Sequence, residues 1–456
     1  MAATRIYCRQ ALLVDGWRND VLLEVDSNGL IGSISSGLPG SADVQLCGTV
    51  IPGMPNVHSH GFQRMISGLT GGGAESTGNF WGWREAMYRF ANKITSEQLE
   101  VCMAWVYAEM LMAGYTACAE FHYLHHQPDG GAYSQRAETS LRILSAADSS
   151  GIAVTLLPVL YSVSGFGQMS TGHEQRRFSN KLDEYLEILQ TCRKAIDGQS
   201  LHCLGIAPHS LRAVHSEELK NLLESISTER MPIHIHIAEQ AAEVEASKEY
   251  LGARPVEWLL NNVALDQNWC LVHATHMLES ERLDAAATGV VAGLCPTTEA
   301  DLGDGFFDTA AWLREGGRFG IGSDSNLRIS VSDELRMLEY SERLRQERRN
   351  ILCTDFQSCG RFLYEHAATS GAQALGQHCG VIETGRRADL VELDNSHPLL
   401  VGRQEDAILD SLVFAGGREM NRTVYVAGKR LVEDGQHINE TALKAGFSRV
   451  MKELLS

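Results

Sequence analysis

Short apolar runs alternate with amphipathic stretches through the middle of the chain. Eight runs have the length and the continuous apolar character of strands that are buried on both faces of a parallel sheet. They span residues 49–58, 116–122, 153–161, 202–207, 232–238, 270–274, 290–295 and 319–322. Eight strands separated by helical stretches predict an α/β protein with a (β/α)₈ (TIM) barrel.

Helices are predicted where apolar residues recur every three or four positions. The clearest such stretch covers residues 97–112. Thr95 and Gln98 form a capping box at its start, and Gly114 ends it. The same pattern predicts helices over residues 216–226, 255–262 and 332–345.

The two ends of the chain show short strands of alternating apolar and polar residues instead. Near the start, alternating strands are predicted over residues 5–14 and 20–25, separated by a turn at Asp15-Gly16. Near the end, strands are predicted over 388–393, 423–427 and 430–433, with a tight turn at Gly428-Lys429 between the last two.

Composition limits the kinds of partner and the cellular compartment that we expect. The 456 residues carry a formal net charge of −18, which argues against nucleic acid or an anionic membrane as the main partner. An anionic small substrate stays possible, because a site can be locally positive. The 11 cysteines are odd in number and include no C-x-x-C pair, which indicates free thiols in a reducing compartment. Without an apolar signal core or a run long enough to cross a bilayer, we expect a soluble cytoplasmic protein.

Two histidines close the first predicted strand. His58 and His60 are two positions apart, so their imidazoles project to the same side and suit a metal ion. A bare H-x-H pair is equally compatible with two histidines at the edge of the core. Position favours the metal, because His236, His273 and Asp324 also end predicted strands. The carboxyl ends of barrel strands meet on one face, where catalytic groups collect.

This set of segments resembles the amidohydrolase superfamily. The matching pieces are PGMPNVHSH (52–60), His236-x-x-Glu239, His273 and Ser323-Asp324-Ser325. The segment GIAPHS (205–210) lacks the lysine that dinuclear members place after the fourth strand, so the resemblance is to the mononuclear subgroup.

The resemblance implies one Zn²⁺ per subunit, held by His58, His60, His236 and Asp324. Imidazole and carboxylate ligands leave Fe²⁺ and Mn²⁺ open. The segment GVIETGRRADLV (380–391) is similar to the one that completes the family's small β-sandwich. The resemblance thus implies a catalytic barrel over residues 52–376 and a β-sandwich domain from residues 1–51 and 377–456.

Within this superfamily the chain is most similar to the N-formimino-L-glutamate deiminases. The segments on which this similarity rests are HGFQR (60–64), FWGWRE (80–85), AEFHY (119–123), APHSLR (207–212) and LCPTTEADLGDG (294–305). The similarity implies hydrolysis of N-formimino-L-glutamate to N-formyl-L-glutamate and ammonia, in histidine degradation. Similar proteins are commonly homodimers, which we expect here.

A substrate with two carboxylates needs cationic partners, and arginine supplies bidentate contacts. Arg84 and Arg212 fall in loops of the catalytic face, although any lone arginine is also compatible with a solvated surface position. The resemblance adds Gln63, Tyr123 and His209 as neutral hydrogen-bonding groups. Tyr123 is equally compatible with a packing role.

The expected catalytic groups are Asp324, Glu239 and His273. Asp324 accepts a proton from the attacking water, and Glu239 carries it to the departing nitrogen. His273 binds substrate and stabilises the developing charge as a hydrogen-bond donor. The alternatives are a helix-start carboxylate for Glu239 and a satisfied core histidine for His273.

Three rival functions stay open at this point. The barrel could deaminate another amidine or an aminoheterocycle such as guanine, a pterin or an adenosine-like base. It could be a dehalogenating relative. It could also be a catalytically silent scaffold, although that predicts the loss of a catalytic group.

Overall fold

The computed structural model describes residues 4–69, 87–167, 169–226 and 231–456. Arg84, one of the two predicted carboxylate-binding arginines, lies outside the described residues. The strands are β1 (Thr4–Leu13), β2 (Gly16–Val25), β3 (Ile31–Ser36), β4 (Val44–Pro52), β5 (Met54–Ser59), β6 (Tyr115–His122), β7 (Ala153–Leu160), β8 (Cys203–Leu204), β9 (Ala207–Pro208), β10 (Ile233–Ile237), β11 (Trp269–His273), β12 (Val291–Leu294), β13 (Arg318–Ile321), β14 (Leu390–Leu393), β15 (Asn421–Val426), β16 (Lys429–Glu433) and β17 (Gln436–His437).

The helices alternate with the strands of the middle region. They are α1 (Ser96–Met112), α2 (Glu138–Ser150), α3 (Leu182–Ile196), α4 (Ser216–Ser225), α5 (Ala241–Leu251), α6 (Pro255–Asn262), α7 (Glu279–Thr288), α8 (Pro296–Leu302), α9 (Thr309–Arg314), α10 (Val331–Gln346), α11 (Cys359–Leu375), α12 (Asp406–Phe414) and α13 (Glu440–Leu455). The capping box of Thr95 and Gln98 at the start of α1 is present as predicted. No helix within the described ranges is long and apolar enough to span a bilayer.

The strands β5 to β13 form the predicted barrel. They pair in parallel as two arcs, β5-β6-β7-β8 with β9 also on β7, and β10-β11-β12-β13. Two parallel bridges close the ring, Ile206 with Ile233 and Ser59 with Asp324. Because β8 and β9 share the fourth position, the ring has the eight strands that the apolar runs predict.

Two strand predictions need correction. The run at 49–58 is two strands, because residues up to Pro52 pair with β14 while those from Met54 pair with β6. The strands separate at Gly53, where a Cβ would lie 2.3 Å from the Thr116 side chain. The run at 202–207 is broken because the amide of Gly205 donates to Leu156, whereas that of Ile206 donates across the barrel seam to Pro232.

Both chain ends enter one further sheet, whose strand order is β17-β16-β15-β14-β4-β1-β2-β3. The sheet has its own small hydrophobic core, which includes Ile6, Val21 and Leu390. The predicted turn at Gly428-Lys429 shifts by one residue, since Val426 pairs with Lys429 and Ala427-Gly428 form the turn. The proposed domain division at residues 52 and 376 stays a prediction.

The C-terminal end of helix α11 lies at the end of the barrel opposite the predicted site. Its last carbonyls accept hydrogen bonds from inside the ring, at Ala374 from His234 Nε2 (2.8 Å) and at Leu375 from Thr155 (2.7 Å). These contacts satisfy carbonyls that have no partner within the helix. His234 therefore contacts α11, although it lies on the same strand as His236.

Candidate metal centre and active site

The candidate site lies where the barrel strands end. His58 and Ser59 close β5, and His60 follows directly. Just beyond β10, β11 and β13 the backbone enters the left-handed region at Ala238 (φ 49°), Ala274 (φ 49°) and Asp324 (φ 42°), and His273 itself has φ 65°. Such angles cost non-glycine residues of the order of 1–3 kcal/mol each and cluster at functional sites. Here they occur at or beside the residues predicted for catalysis.

Four predicted ligand atoms converge. Nε2 of His60 lies 3.1 Å from Nε2 of His58 and 3.3 Å from Nε2 of His236. Oδ1 of Asp324 lies 3.5 Å from Nε2 of His58 and 3.4 Å from Nε2 of His60. The four side chains are at most 7% exposed, so water does not separate them from one another.

Hydrogen bonds show which nitrogen carries the proton in two of these imidazoles. Nδ1 of His60 faces the carbonyl of Phe121 at 3.0 Å, and Nδ1 of His236 faces the carbonyl of His209 at 3.2 Å. A carbonyl only accepts, so both Nδ1 atoms carry the proton and both Nε2 atoms present lone pairs. Burial and the neighbouring His58 lower the pKa of His60 to about 3, and burial likewise holds the pKa of His236 well below its usual value. The rings are therefore neutral at pH 7.

The donor set fits a divalent metal. Two lone pairs 3.3 Å apart repel each other, whereas a cation between them is attracted to both. Ligands at about 2.0–2.1 Å from a tetrahedral Zn²⁺ lie about 3.3–3.4 Å from one another. The measured separations of 3.1–3.5 Å match that edge length.

Glu239, His273 and Arg212 surround the ligand cluster. Nε2 of His273 lies 4.0 Å from Oε1 of Glu239 and 4.0 Å from Oδ2 of Asp324. Arg212 Nη2 donates to Glu239 Oε2 at 3.1 Å. Burial lowers the pKa of His273, but the hydrogen bond to Glu299 and the charges of Glu239 and Asp324 outweigh it and raise this pKa to about 10. The ring is thus suited to donate from Nε2.

Buried carboxylates hold the catalytic loops. Glu243 accepts from the amides of Ala238 and Glu239, both at 3.2 Å, and so fixes the turn that carries Glu239. Glu120 accepts from the Gly61 amide at 2.8 Å and from the Ser59 hydroxyl at 2.9 Å, beside the H-x-H pair. Glu299 accepts from His273 Nδ1.

A pocket opens above the ligand cluster. Its lining is His60, Gln63, Met87, Tyr88, Tyr123, Tyr161, Ser164, Phe178, His209, Arg212, His236, Glu239, His273, Leu302 and Asp324. Tyr123 Oη lies 3.2 Å from His60 Nε2 and 3.4 Å from His209 Nε2. Gln63 is 2% exposed, and its Oε1 has no hydrogen-bond partner among the described residues. A buried polar atom without a partner at the wall of a pocket favours a polar ligand.

Comparison with known proteins agrees with this geometry. The model of the amidohydrolase family matches residues 49–431, which span the barrel and, in the sheet, all of β14 and β15 and parts of β4 and β16. The chain belongs to the amidohydrolase family. The (β/α)₈ barrel predicted from the apolar runs is the fold typical of that family.

Two relatives of the amidohydrolase family indicate the range of activities. A formimidoylglutamate deiminase from Pseudomonas aeruginosa is 48% identical over 451 residues, which cover 99% of each chain. A 5-methylthioadenosine/S-adenosylhomocysteine deaminase from Haloarcula marismortui is 26% identical and covers 95% of this chain and 94% of its own.

Solved structures share the fold. An amidohydrolase from Brucella melitensis superposes with a TM-score of 0.93 at 43% identity, covering 99% of this chain and 100% of its own. An adenosine deaminase from Xanthomonas campestris with bound zinc superposes with a TM-score of 0.81 at 22% identity, covering 100% of this chain and 99% of its own. The second likeness concerns the fold alone.

The predicted site residues thus line one pocket, apart from Arg84, which the structure does not describe, and His58. His58 is fully buried and contacts His60, which does line the pocket. Sequence reasoning missed Glu120, Glu243 and Glu299. The segment LCPTTEADLGDG includes Glu299, but an acidic residue in the first turn of a helix is common and carries no distinguishing signal.

Proposed function

We propose that this amidohydrolase hydrolyses N-formimino-L-glutamate to N-formyl-L-glutamate and ammonia with one Zn²⁺ per subunit. The full-length relative that carries the proposal is the formimidoylglutamate deiminase, at 48% identity. The pocket supports the proposal, because Arg212 lines it and contacts the predicted acid–base group Glu239.

The metal is assigned to His58, His60, His236 and Asp324. When bound, Zn²⁺ acidifies water to a pKa near 7, which supplies a nucleophile at neutral pH. Fe²⁺ and Mn²⁺ accept the same ligand types, so metal content decides between them.

The remaining steps belong to side chains of the pocket. Asp324 accepts the proton of the attacking water, and Glu239 delivers a proton to the nitrogen that leaves as ammonia. His273 donates from Nε2 to the oxygen of the tetrahedral centre, where negative charge develops. Its 4.0 Å distances to Glu239 and to Asp324 support a position between the two carboxylates.

Substrate recognition is assigned to the wall of the pocket. Arg212 binds one substrate carboxylate while it keeps its contact with Glu239, and Arg84 is proposed for the other carboxylate. Gln63, Tyr123 and His209 complete the polar wall. The unpartnered Oε1 of Gln63 supports this role. A homodimer and a cytoplasmic location remain predictions, the latter in keeping with 11 free cysteines.

The test is ammonia release from a panel of amidines and aminoheterocycles with the zinc-loaded protein. N-formimino-L-glutamate should give the highest kcat/KM. The rival substrates are 5-methylthioadenosine and S-adenosylhomocysteine, which relatives at 22–26% identity are named as deaminating, together with adenosine and guanine. A higher kcat/KM on one of these would overturn the proposal.

A further inference from the structure

Glu299 is a buried carboxylate behind His273 for which the proposed mechanism has no use. It lies in the first turn of α8 and is 3% exposed. Its Oε1 accepts from the backbone amide of Cys295 at 2.9 Å, which fixes the carboxylate to the end of β12. The same oxygen lies 3.1 Å from Nδ1 of His273, at the end of β11.

This contact determines which way the imidazole faces. A carboxylate that already accepts from an amide is an acceptor for Nδ1, so Nδ1 of His273 carries a proton. The opposite nitrogen, Nε2, then points to the reacting centre between Glu239 and Asp324. His273 is the last residue of β11, and its backbone there turns to φ 65°. Among the described residues the hydrogen-bond partner of its ring is Glu299, so this bond restrains the orientation of the ring.

We propose that Glu299 is a positioning residue for catalysis: by accepting from Nδ1, it fixes the orientation of the His273 ring so that the Nε2 donor faces the reacting centre. The inference rests on the proposed function, because it concerns the same site. The specific requirement is a hydrogen-bond acceptor at position 299. Glutamine keeps an acceptor oxygen there, whereas alanine removes it.

The chain offers a matched control in Glu334. This residue of α10 is fully buried, and its Oε2 accepts from the Thr297 amide at 2.9 Å. It therefore supports the same turn of α8 as Glu299 does. Glu334 does not line the pocket, and among the described residues its carboxylate accepts from the amide and the hydroxyl of Thr297.

The experiment compares Glu299→Ala, Glu299→Gln and Glu334→Gln at equal zinc content. Removing a partner that orients an active-site imidazole typically costs about 10- to 100-fold in activity. We expect Glu299→Ala to lose kcat by about that factor with KM within about threefold of wild type. Glu299→Gln should regain at least about tenfold of that loss, and Glu334→Gln should keep kcat while it lowers the melting temperature.

Three outcomes overturn the proposal: kcat of Glu299→Ala within threefold of wild type, Glu299→Gln no better than Glu299→Ala, or an equal kcat loss in Glu334→Gln. If Glu299→Ala fails to fold, Glu299→Leu, which also lacks an acceptor, takes its place in the same comparison. Imidazole ¹⁵N–¹H spectra give a readout without substrate: the Nδ1 proton of His273, assigned by its loss in His273→Asn, should persist in Glu334→Gln and change in Glu299→Ala. Kinetics use the best substrate of the wild type, so a wild type inactive on N-formimino-L-glutamate refutes the proposed function alone.

Discussion

Replacing Arg212 by methionine tests the proposed substrate class directly. The guanidinium lines the pocket, and its Nη2 donates to Oε2 of Glu239 at 3.1 Å. Methionine has a similar length and no charge, so the substitution removes two interactions. One is the contact with Glu239, which any substrate experiences. The other is the proposed contact with a substrate carboxylate, which only a carboxylated substrate experiences.

The two losses have separate magnitudes. The Arg212 side chain is 24% exposed and that of Glu239 7%, so their pair is largely shielded from solvent. A hydrogen bond to a charged group contributes about 1.5–3 kcal/mol, or about 10- to 150-fold in kcat/KM. Arg212→Met should thus lose about 10- to 150-fold on an N-alkylformamidine that carries no carboxylate. On N-formimino-L-glutamate the two losses combine to about 10²- to 10⁴-fold.

Steady-state ammonia release on both substrates measures these factors, and Arg254→Met is the control. Arg254 pairs with the buried Glu281 at 3.0 Å, so its loss removes a comparable arginine–glutamate pair outside the pocket. The control should lose stability and keep kcat/KM. Equal losses on the two substrates would refute carboxylate recognition by Arg212, and unchanged kcat/KM on both would refute its role altogether.

Three further predictions concern the proton shuttle, the metal and one pH-sensitive carboxyl. Glu239→Gln should lower kcat about 10²- to 10⁴-fold with little change in KM, and retained turnover would exclude Glu239 as the proton carrier. A chelator should abolish activity and lower the melting temperature, and Zn²⁺ should restore both; full activity in protein shown by elemental analysis to be metal-free would contradict the assigned centre. Burial and the charge of Glu239 raise the pKa of Asp304 to about 7, so the folded protein keeps a proton that the unfolded chain releases above about pH 4. The contribution of this group to the free energy of unfolding therefore falls as pH rises from about 4 to 7. Over that interval the stability of Asp304→Asn, measured by urea unfolding, should increase relative to that of the wild type. A stability difference between the two proteins that does not depend on pH would contradict the raised pKa.

That the proposed ligand residues come together could be predicted from sequence. His58 lies in β5 and His60 directly follows it, so strand alternation carried one residue further puts both rings on one side. The carboxyl ends of barrel strands meet on one face, which brings His236 and Asp324 to the same end, and the family resemblance selects these two as ligands.

Two of the missed residues, Glu120 and Glu299, act through contacts between distant segments. Glu120 supports the turn after β5 from β6, and Glu299 reaches from α8 to His273 on β11. Their partners are decided by packing in three dimensions, which no periodicity records. The break at Gly53 is hidden for another reason. Residues on both sides of it are buried, so the apolar run continues although the strand changes sheets.

The seam between β13 and β5 has a thermodynamic consequence. The amide of His60 donates to the Asp324 carbonyl at 2.8 Å, and the amide of Asp324 donates to the His58 carbonyl at 2.9 Å. The hydrogen bonds that join the first and last strands of the barrel are thus made by the backbone of residues assigned to the metal. An ion that binds only the closed arrangement stabilises it by mass action. Ring closure and metal uptake are therefore one linked equilibrium, and amide exchange at these positions should slow as metal concentration rises.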